Sequence, residues 1–537
     1  MATIDTTAEI ASPHSDWLDK LDRWCARTGD RINPILVKET RQSLKSRQFV
    51  VTFSMILFAA LAWTIAGSLS MMPQIYTTPS APRMMIGYYA VLALPMLMVV
   101  PIAAYRSLEA EIDDGTLELL SITALSPWQI VLGKLGSASL QMLLYFVTLF
   151  PCLAYAYSLR GVDLPTTLLI VASLGVAGLL LTVVGLFFAP TARGRSGRVS
   201  ALLALIFLLV LAEYAMGAMV FGMIFYGNPL SQSELLFYVV ASTAVAFSLG
   251  HLMLTSTAAQ LTPETENRST AVRLSLLAFT TVCVSTIALA VLVLRSSGLP
   301  IYFFGMFVIA GVWTFCGALM VGERSTITPR IRRELPSSFL GRLVLTWLTP
   351  GPTTGLVFTI IVLSILTVMQ QASLSWISRS GIARGIYSSQ LRRFFGQPAL
   401  LFVAYLISFL VIVRLLMYVI RLRNNPRVEL GLAALVVVAL MAALIPYSMQ
   451  LHYNDYQPLT YDPKWQMTNW AFTMASALER RLPPNIISNV VGAAVGLGTI
   501  AILAAWKTTR PRRTATPERV LQELEKKPQG LSEQSAS

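Results

Sequence analysis

Runs of about 20 apolar residues, the length a helix needs to cross a bilayer, recur in twelve places along this chain. They lie near 49–72, 84–105, 136–158, 165–189, 200–227, 234–256, 274–294, 299–321, 352–370, 398–420, 429–447 and 484–506. The first, third and fifth are unambiguous, while the ninth is compatible with a partly interfacial course, which would change the count by one. The pattern predicts an all-α polytopic membrane protein of about twelve transmembrane helices. It divides the chain into an amphipathic N-terminal segment (1–48), a six-helix unit (49–256), additional transmembrane helices (257–506) and a basic tail (507–537).

Between the runs the pattern turns amphipathic in two places. In the first 48 residues, Trp17, Leu18, Leu21, Trp24 and Cys25 share one helical face, with Asp19, Lys20, Asp22 and Arg23 on the other. A second helix is predicted from Asn33, with Pro34 in its first turn where a missing N–H costs nothing. Its Leu36, Val37, Thr40 and Leu44 face one way and Lys38, Arg41 and Lys45 another. That face suits either the headgroup layer of an anionic bilayer or water.

The second place is the island 106–135. Glu109, Glu111, Asp113, Asp114 and Glu118 stand against Leu108, Ile112, Leu119 and Leu120, a pattern that fits one cytoplasmic helix or a pair of short ones. Gly115 interrupts it and marks a bend or a close approach by another chain. Ser126-Pro127-Trp128-Gln129 has the form of a capping box that launches the third span, with Lys134 expected as an interfacial anchor.

Composition agrees with the class: 55% of residues are hydrophobic and 13% charged. The net charge of +14 acts as a topology signal before it suggests nucleic acid, which is not an expected partner. With the N-terminus inside and twelve spans, 30 of the 41 Lys and Arg fall on the cytoplasmic side, 10 fall outside, and Arg414 lies within a span. Both termini are thus expected in the cytoplasm, together with Arg193/Arg195/Arg198, Arg330/Arg332/Arg333, Arg421/Arg423/Arg427 and the tail from Lys507. The loop 371–397 is the exception, placing Arg379, Arg384, Arg392 and Arg393 outside. No cleavable signal peptide is expected, so the first span serves as insertion signal. Cys25, Cys152, Cys283 and Cys316 have no paired spacing, and His14, His251 and His452 are scattered, so neither a disulfide nor a metal site is expected.

The order of these elements resembles the permease subunits of ABC transporters of the ABC-2 type. The similarity rests on Asn33-Pro34-Ile35-Leu36-Val37-Lys38-Glu39, then Glu111 with Gly115-Thr116-Leu117-Glu118-Leu119-Leu120, then Leu125-Ser126-Pro127 through Gly133-Lys134. Thr191 to Ser200 is similar to the basic turn between the family's fourth and fifth spans. The resemblance covers about residues 33–227, making 49–256 the ABC-2-like unit with its coupling segment at 106–135. It departs in having Ala124 where the family often has Pro, and in about 250 further residues with no second GTLE-like segment. The nearest internal echo begins at Thr328.

The resemblance implies a multi-pass permease subunit in the cytoplasmic (inner) membrane, a homodimer or a heterodimer with a second permease. A separate cytoplasmic ABC ATPase would dock on Glu109, Glu111, Asp113, Asp114, Gly115, Thr116, Leu117, Glu118, Ser126 and Trp128. The chain has no G-x-x-x-x-G-K-[ST] motif, since Trp128 stands where the first Gly before Gly133-Lys134 is required. It is therefore expected to be no enzyme, to have no catalytic or metal residues and to bind no cofactor, ATP and Mg belonging to the partner. Pro95 and Pro101 are expected as kinks of the second span, either moving or static.

Two intramembrane ionisable residues, Glu213 and Arg414, stand apart. Glu213 is open to three roles: pairing with Arg414, a substrate or proton role, or a locally hydrogen-bonded or protonated structural carboxyl. Rival readings of the whole chain are a twelve-helix secondary transporter and a non-transporting membrane protein of envelope assembly.

Overall fold

The computed structural model describes residues 33–115, 126–191, 194–226, 231–263, 266–323, 338, 341, 345–380, 382, 392–421, 428–457, 460–479 and 482–508. The described elements are helices, and eleven stretches are long and apolar enough to cross a membrane. The chain is an all-α multi-pass membrane protein. One of the eleven, Ser269–Gly322, runs for 54 residues and contains two of the expected spans. Arg295, with φ of +52°, ends the first helix there, and the second packs back on it, Gly305 facing Ile287.

Several expectations fall outside the described residues: the helix at Trp17–Cys25 with His14; Thr116, Leu117, Glu118, Leu119, Leu120, Ala124 and Leu125; Arg193; the echo from Thr328 with Arg330, Arg332 and Arg333; Arg384; Arg423 and Arg427; and the tail beyond Thr508.

The chain divides into two compact units, 1–231 with 246–261, and 232–245 with 262–537. The helix Gln232–Leu261 contributes residues 232–245 to the second unit and 246–261 to the first. The first unit begins with α1 (Pro34–Leu44), which the Asn33 side chain caps by accepting the Ile35 N–H at 3.0 Å. Helix α2 (Arg47–Ser70) is capped in the same way by Ser46. Helix α3 (Ala81–Asp113) widens into a π-turn at Pro95–Val99. There the prolyl nitrogen has no hydrogen for the α-helical ladder, so the helix absorbs an extra residue.

Helix α4 (Pro127–Ser158) opens on the full capping box. Gln129 N–H donates to Ser126 Oγ at 3.3 Å, and Ser126 N–H donates to the Gln129 side chain at 2.9 Å. Helices α5 (Leu164–Phe188) and α6 (Gly194–Tyr226) and the second half of α7 (Gln232–Leu261) complete the unit. Its core centres on Tyr88, Leu97, Tyr105, Leu108, Tyr145 and Leu149, all essentially inaccessible to solvent.

The second unit is built from α8 (Ser269–Leu294), α9 (Gly298–Gly322), α10 (Pro352–Arg379), α11 (Gln397–Arg421), α12 (Glu429–Tyr453) and α15 (Pro484–Thr508), with two short helices, α13 (Pro463–Gln466) and α14 (Trp470–Leu478). Helix α10, the ninth apolar run, is 28 residues long and has the largest buried share of any candidate span.

The short helices, invisible to the apolar pattern, are held by a polar network. Asn469 Nδ2 donates to Ala443 O at 3.0 Å beside Pro446 in α12, Gln450 Nε2 donates to Thr460 O at 2.9 Å, and Gln466 joins Gln450 to Asn469. Arg273, at the start of α8, is wholly buried. Its guanidinium donates to the carbonyls of Trp347 and Thr349 and pairs with Glu323 at 2.8 Å, tying the chain before α10 to the end of α9.

Candidate functional site

The segment the sequence singles out lies between α3 and α4 of the first unit, and the structure surrounds its two ends with ion pairs. Lys134 sits two turns into α4 with its side chain 2% exposed. Its ammonium lies 3.2 Å from Glu39 of α1, 3.1 Å from Glu111 of α3 and 2.8 Å from Ser107 Oγ. Ser107 also donates to Glu39, at 3.2 Å, and Lys38 of α1 reaches Glu111 at 3.5 Å. One buried cation thus ties three helices together. The arrangement satisfies the main demand on a buried charge, opposite charges together with hydrogen bonds.

The backbone permits this convergence because α1 lies directly on α4. A Cβ at Gly133 would stand 2.8 Å from the Ile35 side chain, and one at Gly136 would stand 2.9 Å from Leu36. The amide of Asn33, while capping α1, also donates to Gln129 O at 2.6 Å. Asn33 therefore locks the start of α1 to the start of α4.

Lys134 is consequently not the interfacial anchor expected for it; the two carboxylates hold it inside the bundle. The buried stripe of α1 is also displaced from the expected one. Ile35 and Glu39 are its buried residues, while Leu36, Val37, Thr40 and Leu44 are half-buried. Glu39 and Ser107 are the participants that sequence reasoning missed. The only available signal was an acid one helical turn after Ile35 in an otherwise basic helix.

The remaining candidate residues separate by environment. Glu109 accepts from the Tyr105 hydroxyl at 3.1 Å, and Asp113 is paired with Arg198 at the start of α6. The same hydroxyl lies 3.5 Å from the Arg198 carbonyl, so the end of α3 is fastened to α6 at two points. Glu109, Glu111 and Asp113 thus each have a partner within the unit, Glu111 half-buried beside Lys134 and Asp113 at the exposed surface. Asp114 is exposed. Gly115 follows with φ of +67°, a left-handed turn that side chains disfavour, and so supplies the expected bend. Ser126 caps α4, and Trp128 is half-buried, edge-on to His251 of α7 with centroids 5.8 Å apart.

Glu213 and Arg414 lie in different units. Arg414 donates to Thr353 Oγ1 at 3.0 Å, whereas one carboxyl oxygen of Glu213 is buried with no hydrogen-bond partner among the described residues. The local hydrogen-bonded role weighed for Glu213 finds no partner for that oxygen. The Tyr89 hydroxyl of α3, also buried and unpartnered, is within electrostatic reach of it.

Among the described residues around Lys134, opposite charges and the Ser107 hydroxyl stabilise one another across α1, α3 and α4. No family model, curated protein or solved structure matches the chain.

Proposed function

We propose that this chain is the membrane-spanning permease subunit of an ABC transporter of the ABC-2 type, driven by a separate cytoplasmic ATPase that docks on the segment between Asp113 and Ser126. The observation that carries the reading is the three-helix joint at Lys134. The segment 116–125 is ten residues long, and the helices on both sides of it are fastened to each other and to α1 within two to three turns of its ends. A push on such a segment moves α1, α3 and α4 together. A solvated loop with no mechanical role has no need of a buried, fully paired lysine beside it.

On this reading the docking determinants are the exposed Asp114 together with Leu117 and Glu118 of the segment between the two helices. This assigns the Asp113/Ser126 end of the first unit to the cytoplasm, in keeping with the charge distribution of the loops.

The test is co-purification of the tagged chain with a co-expressed candidate ABC ATPase subunit. Leu117→Asp with Glu118→Lys places unfavourable charge in the contact, and recovery of the ATPase should fall at least about tenfold, the equivalent of about 1.4 kcal/mol. Wild-type recovery with the double variant, in protein that is inserted and folded, would refute the docking assignment.

A further inference from the structure

Glu213 lies about 28 Å along α6 from Gly194 and about 20 Å from Tyr226, too far from either end for its short side chain to reach a headgroup layer. Among the described residues it is the one acid so placed in the spans of the first unit. Glu109, Glu111 and Asp113 stand at the end of α3, and Glu234 stands at the start of α7. Glu213 continues the inward stripe of α6, one turn after the buried Leu209 and in line with the buried Leu205 and Val220. One of its oxygens is buried without a hydrogen-bond partner, and none of the ion pairs among the described residues includes it.

The elements packed most closely on α6 are the first half of α3 with its π-turn, then α5 and the turn 189–191. Helix α5 and that turn carry no titratable side chain. On α3, Arg83 is exposed about 9 Å along the helix from Tyr89, and the Tyr88 hydroxyl is bonded to Thr64 at 2.6 Å. On α6 itself, Tyr214 and Tyr226 are exposed, and Arg198 is paired with Asp113. This leaves Tyr89. It is 9% exposed, its hydroxyl is buried without a partner, and it interacts electrostatically with Glu213.

Two orphaned polar groups thus face each other across an apolar core. An ionised carboxylate there would be an isolated charge in hydrocarbon, the most expensive state it can adopt. A divalent cation asks for about six oxygen ligands, and the described residues hold no group of three His, Cys, Asp or Glu. A proton needs only one oxygen. It removes the charge and turns the carboxyl into a donor, for which the Tyr89 hydroxyl oxygen is a free acceptor.

We propose that Glu213 and Tyr89 form a proton-binding site in the interior of the first unit, in which Glu213 holds the proton at neutral pH and the Tyr89 hydroxyl accepts it in a hydrogen bond as α3 closes on α6. In this structure the pair stands unbonded. Tyr89 and Glu111 belong to the same helix, so a displacement of α3 at the Lys134 joint reaches the proton. By linkage the proton biases the position of α3 by the same free energy. The site depends on the membrane-spanning fold and not on the ATPase.

The test is infrared spectroscopy of the full chain in lipid nanodiscs, recorded against pH. The spectrum of Glu213→Gln is subtracted so that the other carboxyls cancel, with Glu213→Leu as a second reference. The wild type should show the carbonyl stretch of a protonated carboxylic acid at neutral pH, lost only in alkali and unchanged when sodium replaces potassium. Tyr89→Phe keeps the ring and removes the acceptor, so its band should be half lost at a pH about one unit lower, a tenfold weaker hold on the proton. A carboxylate band in place of the acid band at neutral pH would overturn the site. Loss of the acid band on adding sodium would overturn it in favour of a metal cation. A midpoint in Tyr89→Phe at or above that of the wild type would overturn the pairing with the hydroxyl. Neither residue enters the ATPase test, so the two proposals fail separately.

Discussion

Replacing Lys134 with Met keeps the length and apolar stem of the side chain and removes only the charge, so it isolates the joint among α1, α3 and α4. In the variant, Glu39 and Glu111, with side chains 11% and 16% exposed, would face each other without the cation between them. Removing one partner of a buried ion pair typically costs about 3–5 kcal/mol, because the remaining charge is left uncompensated. Lys38, 3.5 Å from Glu111 but 61% exposed, offsets part of this, which favours the lower end, about 3 kcal/mol.

Two companion variants separate the electrostatic origin from mere packing. Glu39→Gln leaves Lys134 paired with Glu111 and bonded to Ser107, so its cost should be about 1 kcal/mol. The triple change Lys134→Met, Glu39→Leu, Glu111→Leu removes every charge at once and should return to within about 1 kcal/mol of wild type. The assay is reversible unfolding of the purified chain in mixed detergent micelles, followed by tryptophan fluorescence. A Lys134→Met protein within about 0.5 kcal/mol of wild type would refute the argument. So would a triple variant less stable than the single one.

Three further outcomes are expected. Gly185→Ala should destabilise by about 1–3 kcal/mol in the same assay, because a Cβ there would stand 2.6 Å from the Pro101 carbonyl oxygen, a backbone atom that cannot rotate away. Glu213→Leu should raise stability by about 1 kcal/mol or more, since it removes a buried carboxyl oxygen with no described partner; a loss instead would show that the carboxyl makes a bond the fold needs. Asp163→Ala should cost about 0.5–1 kcal/mol at neutral pH through loss of the cap on α5, and Asp163→Asn should retain most of it. The Thr166 hydroxyl holds the Asp163 carboxyl below its ordinary value of 3.8, so the capping contribution is complete above that value; the difference between wild type and Asp163→Ala should vanish as pH falls through the depressed one.

Much of the fold is legible in the sequence because it depends on local rules. The capping box at Ser126, the cap at Asn33, the bend at Gly115 and the disturbance at Pro95 each follow from the chemistry of a few adjacent residues. The apolar runs mark the spans because a bilayer imposes length and polarity whatever the neighbours are. What the sequence conceals is pairing at a distance. Lys134 and Glu39 are 95 residues apart, and each alone reads as an ordinary surface charge at a membrane boundary. Glu111 looks like part of an outward acidic face because its partner is not written near it. Helices α13 and α14 are hidden for a related reason: their four and nine residues are too short to register as spans, and they are held to α12 by Gln450, Gln466, Asn469 and the Trp470 indole, all through distant partners.

The 95-residue separation has a consequence for how the chain is made. When α1 leaves the ribosome it carries Glu39 with no lysine to receive it, and α2 enters the membrane before that lysine exists. Even when Glu111 is in place, the two carboxylates repel each other. At about 5–20 residues per second, roughly 5–20 s pass between synthesis of Glu39 and of Lys134. Over that interval α1 has every reason to stay in the wet boundary of the membrane, and only the arrival of α4 draws it in. The lysine therefore acts as a late latch: the amino-terminal helix gains its buried partner only once α4 has been made.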